Sequence, residues 1–433
     1  MRSLRGGLAK KVDMRLSWRV LAAFQGATSI STSLLYHGFG VRGYEYVGTL
    51  YVEGQIWLSI EQPREKLCCP VCDSLEVTRR GGDWRTFRTL PVGRKRVTLS
   101  LVVARVGCAA CEVVRQVAIP FADPRRTYTK SFGRYALELS RHMTIQDVAE
   151  HLGVGWDLIK EIQKTDLQRR FKKIPLKKLR QLAIDEISIG KHGRFLTVVL
   201  DLKRGAVVFV AEGKGSAALE PFWKRLRAAR AKIQAVAMDM SPAYIKAVSE
   251  HLPKAEIVFD HFHIIKLFNE KLSDLRRELF RQAQDQQLKD VLKGTRWLLL
   301  KNPEHLDPRH NEQQRLDQAL KLNAPLATAY YLKEDLRQLW QQPNWRAGRK
   351  FLTAWCKRAL ASGIRILQQF AQTLRKHARG ILNYFKFPIS TGPLEGTNNK
   401  IRTLQRQAYG FRDSEFFKLK IYALHETRYE LVG

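Results

Sequence analysis

Two cysteine pairs of the form C-x-x-C constrain the fold of this chain more than any other feature. Cys69 and Cys72 form the first pair, and Cys108 and Cys111 form the second. Each C-x-x-C turn lets two thiolates bind one metal ion, and two turns complete the tetrahedral Cys₄ set that Zn²⁺ prefers. We therefore predict a structural zinc site in a zinc-ribbon-like module. A redox pair or a coincidence of spacing is the alternative.

The charge of the chain favours a polyanionic partner. The 433 residues include 75 lysines and arginines against 41 aspartates and glutamates, a net charge of +34. Such an excess attracts polyanions, and no run of apolar residues is long enough for a membrane-spanning helix. We expect nucleic acid as the partner and no membrane, although a basic surface can also serve solubility alone. Six cysteines are too few for a disulfide scaffold, which favours a cytoplasmic location.

Hydrophobic periodicity separates strand-rich stretches from helical ones. The segments 43–60 and 97–106 predict a hairpin and a further strand near the cysteine pairs. Between 182 and 259, short strand-like runs alternate with helical stretches, so we expect a mixed sheet with helices on its faces. Beyond His261, apolar residues recur every three or four positions, which is typical of helices. The whole pattern predicts a multidomain α+β protein.

Residues 144–164, TIQDVAEHLGVGWDLIKEIQK, have the spacing of a helix-turn-helix. Thr144 and Asp147 resemble a capping box, and Gly153 permits the turn. The second helix includes Trp156 and would enter a major groove of DNA. A helical hairpin that serves only the core is the alternative.

A strongly basic segment follows this motif. Residues 169–180 carry seven basic side chains and no acid. The composition predicts a linker that lies against phosphates, with a solvated hinge as the alternative. The candidate DNA-contacting residues are Trp156, Lys160, Arg169, Arg170, Lys172, Lys173, Lys400, Arg402 and Arg406.

Three acidic residues stand at positions that suit metal chemistry. Asp185 lies in a predicted strand among isoleucines, Asp239 ends another strand, and Glu395 stands at a predicted helix start. Three carboxylates from separate elements can hold two divalent cations, and hard oxygen ligands suit Mg²⁺ or Mn²⁺. Taken singly, each acid is better explained as a surface residue or a cap. Because Glu186 is adjacent to Asp185, the residues alone do not decide which of these two acids in the strand would bind metal.

In their order along the chain, these motifs resemble the DDE transposases of the bacterial insertion-sequence L3 family. The resemblance runs from about Thr32 to the C-terminus. It is carried by the cysteine pairs, the helix-turn-helix and the motifs FADPRRTYT, AIDEISIGK, AMDMSPAY, FDHFHIIK, RWLLLKN, STGPLEGTNNKIR and QAYGFRD. It implies an RNase H-like α/β catalytic core with Asp185, Asp239 and Glu395 as the metal-binding triad. The spacing of 156 positions from Asp239 to Glu395 predicts an inserted all-α domain.

The resemblance also suggests accessory residues. Related transposases carry an Asp-x-x-His signature after the second acid, which here is Asp260 with His263. Some of these enzymes support a flipped base with a tryptophan of the insertion domain. Trp297 is the candidate for that role, with core packing as the alternative.

The implied function is that of a transposase that binds the terminal inverted repeats of its insertion sequence. It would then catalyse metal-dependent strand cleavage and strand transfer in the bacterial nucleoid. We expect double-stranded DNA, both transposon ends and target, as partner, and a homo-oligomer on that DNA. The alternatives are a zinc-containing transcription regulator without catalysis and a metal-dependent nuclease.

These assignments divide the chain into seven predicted segments. They are a disordered basic arm at 1–31, a zinc-binding strand-rich domain at 32–125, a helix-turn-helix domain at 126–168, a basic linker at 169–182, the first part of the RNase H-like core at 183–265, a helical insertion domain at 266–389 and C-terminal core helices at 390–433.

Overall fold

Two compact units make up the chain, Met1–Gln163 and Lys164–Gly433. The computed structural model describes residues 33–190 and 193–426. The basic arm predicted at 1–31 lies outside the described residues. Within those ranges, no helix has the length and apolar character needed to cross a membrane.

A five-stranded sheet forms the centre of the first unit. Helix α1 Leu34–Phe39 is followed by strands β1 Glu45–Val52, β2 Gln55–Glu61, β3 Val77–Val92, β4 Lys95–Cys108 and β5 Val114–Gln116. The strand order is β1-β2-β4-β3, with β5 also paired to β4. Strands β2 and β4 run parallel, and the other pairs run antiparallel. The predicted hairpin and the further strand are therefore confirmed.

Strand β3 is long although its own sequence does not favour a strand. Its first half, VTRRGGDW, is mostly exposed and contains two glycines. Backbone pairing with β4 holds it along its length, with a bulge between Arg79 and Gly82. A Cβ at Gly82 would come within 2.8 Å of the Val103 carbonyl oxygen, so this position requires glycine.

The helix-turn-helix forms as the sequence predicts. After α2 Lys130–Leu139 come α3 Ile145–Leu152 and α4 Trp156–Phe171. The capping box is present, because Asp147 N donates to Thr144 Oγ1 (3.1 Å) and Thr144 N donates to Asp147 Oδ2 (3.2 Å). Gly153, with φ at +61°, ends α3. Because α4 continues to Phe171, Arg169 and Arg170 lie in its last turn and not in a linker.

Backbone pairing joins the helix-turn-helix to the sheet of the first unit. Arg88 N donates to Thr127 O (2.8 Å), and Thr129 N donates to Arg88 O (2.9 Å). The buried hydroxyls of Thr89 and Thr129 are 3.2 Å apart. The segment before α2 thus extends the edge of β3, so the sheet and the helices share one body.

The second unit is built on a five-stranded mixed sheet. Its strands are β6 Gln181–Ser188, β7 Phe195–Asp201, β8 Ala206–Glu212, β9 Ala235–Met238 and β10 Glu256–Phe259. The order is β10-β9-β6-β7-β8. Strands β6, β7 and β8 form an antiparallel meander, whereas β9 runs parallel to β6 and β10 parallel to β9. The carboxyl ends of β6, β9 and β10 therefore meet at one edge.

Helices cover both faces of this sheet, as the sequence predicts. One face packs against α5 Ser216–Ala228 and α6 Pro242–His251. A long helical stretch then leads to α15 Gly392–Gln407 and α16 Ser414–Ala423, whose apolar residues Leu394, Ile401 and Phe417 pack on the other face. The helices of that stretch are α7 His261–Gln282, α8 Gln286–Gly294, α9 Arg296–Leu300, α10 Glu312–Leu322, α11 Ala324–Arg337, α12 Trp345–Ala361, α13 Arg365–Lys376 and α14 Ala378–Leu382.

Candidate catalytic and zinc sites

The four cysteines of the two C-x-x-C turns come together in the first unit. The sulfur atoms are 3.5 Å apart in the pairs Cys69–Cys111, Cys72–Cys108 and Cys72–Cys111. A tetrahedral zinc ion with Zn–S bonds of about 2.3 Å separates its sulfur ligands by about 3.8 Å. All four sulfurs lie within 4.8 Å of one another, and no other such cluster of potential ligands occurs in the described part of the chain. The cluster could therefore bind zinc.

The two turns share a local geometry that suits thiolate ligands. Asp73 and Glu112, which follow the second cysteine of each turn, both have positive φ, at 58° and 55°. Backbone N–H groups of the first turn lower the pKa of Cys69 to about 7. Burial and the neighbouring thiols raise the pKa of Cys111 to about 12. Four thiols this close cannot all ionise without a cation, so the donor set fits zinc.

Asp185 and Asp239 lie side by side at the carboxyl edge of the second sheet. The parallel register pairs Ala183 with Ala237, so Asp185 stands opposite Asp239 two residues further on. Both side chains are half-buried. Burial raises the pKa of Asp185, and the carboxylate of Asp239 raises it further. Two acids held this close are stabilised in their charged forms by a cation between them.

Asn398 connects Asp185 to helix α15. Its Nδ2 donates to Asp185 Oδ2 (2.8 Å), and the residue is only 3% exposed. Its Oδ1 is buried and has no hydrogen-bond partner among the described residues. Glu395 lies one turn earlier on the same helix and is half-buried. Glu395 therefore lies on the helix that contacts Asp185, but the three carboxylates do not form a compact cluster like that of the four cysteines.

Glu186, the alternative acid in β6, has structural partners. Its Oε1 accepts hydrogen bonds from Tyr244 Oη (2.6 Å) and from Gly215 N (3.1 Å). Successive side chains of a strand point to opposite faces, so Glu186 points away from the face of Asp185. It ties β6 to α5 and α6, which pack on that face.

Asp260 fixes the start of the helix that carries Glu395. Thr391 Oγ1 donates to Asp260 Oδ2 (2.6 Å), and both residues are at most 2% exposed. Glu395 N in turn donates to Thr391 O (2.8 Å). Asp260 follows β10, whose parallel register with β9 places it beside Asp239. Its carboxylate therefore holds the end of the sheet and the first turn of α15 together.

His263 lies in the first turn of α7, directly after Asp260. A positive charge on its imidazole lowers the pKa of Asp185 and so opposes the effect of burial. His261, two residues earlier in α7, has its Nδ1 3.3 Å from Asp260 Oδ1 and contacts the rings of Trp340 and Tyr384, with centroids 5.6 and 6.4 Å away. The two histidines diverge, as expected once the chain turns helical at this point.

Trp297 is exposed, which disagrees with a role in core packing. The side chain is 65% exposed, and the Arg296 guanidinium lies 4.8 Å from its ring centroid. Lys333, which is buried, donates to Leu299 O (2.8 Å) and Lys301 O (3.2 Å) and so caps the short helix α9 that carries Trp297.

The predicted DNA-contacting residues are at the surface but are not all free of partners. Trp156 is 43% exposed, with Lys160 Nζ 5.6 Å from its ring centroid. Arg169 and Arg170 both pair with Asp166, at 2.7 and 3.5 Å. The remaining candidates are all exposed, namely Lys172, Lys173, Lys400, Arg402 and Arg406.

Sequence reasoning missed several residues that shape these sites. Thr391, Tyr244, Lys333 and Asn398 were not among the candidate site residues. For Asn398 a signal was available, because it stands three residues after Glu395 and so shares its side of a helix. Thr391, Tyr244 and Lys333 carry no local signal, because their partners lie far away in the sequence.

Comparisons with known proteins agree with this architecture. A family model of the ISL3 DDE type, described as transposase, matches residues 182–421. A second model, described as the helix-turn-helix domain of transposase family ISL3, matches residues 117–165. The first match alone covers more than half of the chain.

Two transposases related in sequence point the same way. The transposase for insertion sequence element IS1001 of Bordetella parapertussis is 34% identical over 344 residues, which cover 78% of this chain and 84% of that protein. The transposase for insertion sequence element IS1557 of Mycobacterium tuberculosis is 30% identical over 362 residues, or 78% and 80% of the two chains. A solved structure, the Drosophila P element transposase strand transfer complex, aligns with a TM-score of 0.39 and 10% identity over 71% of this chain and 93% of that chain. The chain belongs to the ISL3 family of DDE transposases and is a DNA-binding transposase.

Proposed function

We propose that this transposase binds the terminal inverted repeats of its insertion sequence and cuts and joins DNA at Asp185, Asp239 and Glu395. The observation that carries the proposal is the meeting of two strand ends and one helix at this point. The β6–β9 register sets the two aspartates side by side, and Asn398 bonds α15 to Asp185. Carboxylates from separate elements at one sheet edge are a typical setting for two-metal phosphoryl transfer.

The residues at this edge suit Mg²⁺ or Mn²⁺. Bound there, two such ions would activate a water or 3′-hydroxyl as nucleophile and stabilise the leaving 3′ oxygen. The carboxylates of the triad would set the ligand geometry and would not act as covalent nucleophiles. Asn398 donates to Asp185 Oδ2, and Ser241 N donates to Asp239 Oδ1 (3.0 Å), so both aspartates are held in place at the edge of the sheet.

The core around this site is proposed to be RNase H-like. The three antiparallel strands followed by two parallel ones, with helices on both faces, support this assignment. The helices between β10 and α15 support an insertion domain over 266–389. The sulfur geometry in the first unit supports structural zinc in a zinc-ribbon-like domain.

Contacts to DNA are proposed along several exposed elements. Trp156 and Lys160 stand on the first turns of α4, where a recognition helix contacts base edges. Trp297, exposed and flanked by Arg296, is proposed to stack on a flipped base. The remaining basic candidates are proposed to bind phosphates, and a homo-oligomer is proposed to bring two ends and a target together.

The direct test is to incubate the protein with Mg²⁺ and the DNA that flanks its own gene, and to map the cut ends. We expect nicks at the element boundary and 3′ ends joined to target DNA. Cutting without joining would favour a nuclease. Binding without any cutting would favour the transcription regulator, although the transposase match over 182–421 argues against it.

His263→Ala should slow strand cleavage while DNA ends still bind. We propose that His263 donates a hydrogen bond to a charged group during cleavage, and because such a bond contributes about 1.5–3 kcal/mol, we expect a loss of about 10- to 100-fold. Single-turnover cleavage with preformed protein–DNA complexes measures this step. His305→Ala, at an exposed position of the insertion, is the control and should cleave at the normal rate. An unchanged rate for His263→Ala would assign that residue a purely structural role.

A further inference from the structure

The tip of the β3–β4 hairpin is a compact group of cations that the sites above do not use. Gly93, with φ at +59°, makes the turn, and Arg94, Lys95 and Arg96 follow it, all exposed. A Cβ built on Gly93 meets no described atom within 4 Å, so the tip projects into solvent. None of the three cations pairs with an acid in the described ranges of the chain.

This tip lies against the turn of the helix-turn-helix. The Arg96 guanidinium packs so closely on Gly153 that a Cβ at that glycine would overlap it. Gly153 ends α3, and α4 begins three residues later at Trp156. Three residues of chain span at most about 11 Å. The hairpin cations and the start of the recognition helix are therefore neighbours.

Arg88 fixes the hairpin to the helix-turn-helix. Its guanidinium donates to Leu152 O at the end of α3 (2.9 Å) and to Val97 O in β4 (3.2 Å). Burial and the charge of Arg96 lower the pKa of Arg88, as expected for a crowded group of cations. Together with the pairing of Arg88 and Thr127, these bonds hold the tip in one place beside α4.

We propose that the β3–β4 hairpin acts as a wing of the helix-turn-helix and binds backbone phosphates of the duplex whose groove α4 enters. The major groove is about 12 Å wide, so phosphates flank a helix that enters it, and cations beside the start of α4 lie on the side where one of those backbones passes. Adjacent unpaired cations repel one another, and a polyphosphate chain relieves that repulsion. The proposal rests on the DNA-binding role of the helix-turn-helix. With such a wing, the sheet that carries the four cysteines would itself contact the DNA of the transposon ends.

The test uses the full-length double variant Arg94→Gln/Lys95→Gln and leaves Arg96 in its packed position. Binding to end DNA and to random duplex is measured by fluorescence anisotropy over a range of salt concentrations. Each lost phosphate contact lowers the slope of log K against log salt by about 0.9, so the slope should fall by about 1.8. Affinity should fall by about tenfold or more and by the same factor for both duplexes, because phosphate contacts carry no sequence information.

The matched control is Arg79→Gln/Arg80→Gln, which removes the same charge from exposed positions at the other end of β3. It should leave the slope nearly unchanged. An unchanged slope in the hairpin variant, or an equal fall in both variants, would overturn the wing. Equal zinc content and melting temperature in all proteins show that folding is intact. If wild-type protein binds end DNA no more tightly than random duplex, the proposed recognition of the ends is wrong. A lower salt slope of the hairpin variant on random duplex would still support the wing in that case.

Discussion

Asp185→Asn, Asp239→Asn and Glu395→Gln should each abolish both DNA cleavage and strand joining. Metal ions contribute several kcal/mol of transition-state stabilisation, and ligands of one site act as a unit. We therefore expect losses of about three orders of magnitude or more. Both steps should fail together, because one site is proposed to perform both. Single-turnover nicking and joining of pre-cut ends, each with Mg²⁺, measure the two steps separately.

Folding and DNA binding should survive these substitutions, because each amide nearly matches the volume of the acid it replaces. In Asp185→Asn, an amide oxygen remains to accept the hydrogen bond from Asn398. Glu186→Gln is the control from the same strand and should retain much more activity. Its bonds to Tyr244 and Gly215 belong to the opposite face of the sheet. If Glu186→Gln were inactive and Asp185→Asn active, the assignment of the acid in β6 would be wrong.

Local sequence patterns predicted those parts of the fold whose signals lie within a short window. The capping box at Thr144, the glycine of the helix-turn-helix and the apolar strand at 235–238 each depend on neighbours a few residues away. The cysteine pairs could be predicted for the same reason. In these places the local preference and the final structure agree.

Features that depend on distant partners left no such signal. Strand β3 contains arginines and glycines in its first half and becomes a strand only through pairing with β4. The bridge between Arg88 and Thr127 joins segments about 40 residues apart and ties the helix-turn-helix to the sheet. The bond from Thr391 to Asp260 spans 131 residues. A sequence pattern could suggest the acids of the site but not the bonds that position them.

Cys69→Ser/Cys108→Ser should remove the zinc and unfold the sheet of the first unit. One residue is lost from each turn, so neither half of the ligand set remains complete. Structural zinc in small domains contributes about 10–16 kcal/mol of apparent binding energy, which is as large as the total stability of a typical domain. Metal analysis of the wild type should find about one zinc per chain, and the variant should have none.

The loss of zinc should also weaken DNA binding, although no cysteine lies in the helix-turn-helix. Arg88, Thr89 and Thr129 couple that motif to β3, so it loses its support when the sheet unfolds. Near-UV circular dichroism and binding of end DNA should therefore change together. Cys68→Ser, at the half-buried neighbour of the first turn, is the control and should keep both the metal and the affinity. Full zinc retention in the double variant would exclude the Cys₄ site, because two cysteines alone cannot complete a closed tetrahedral set.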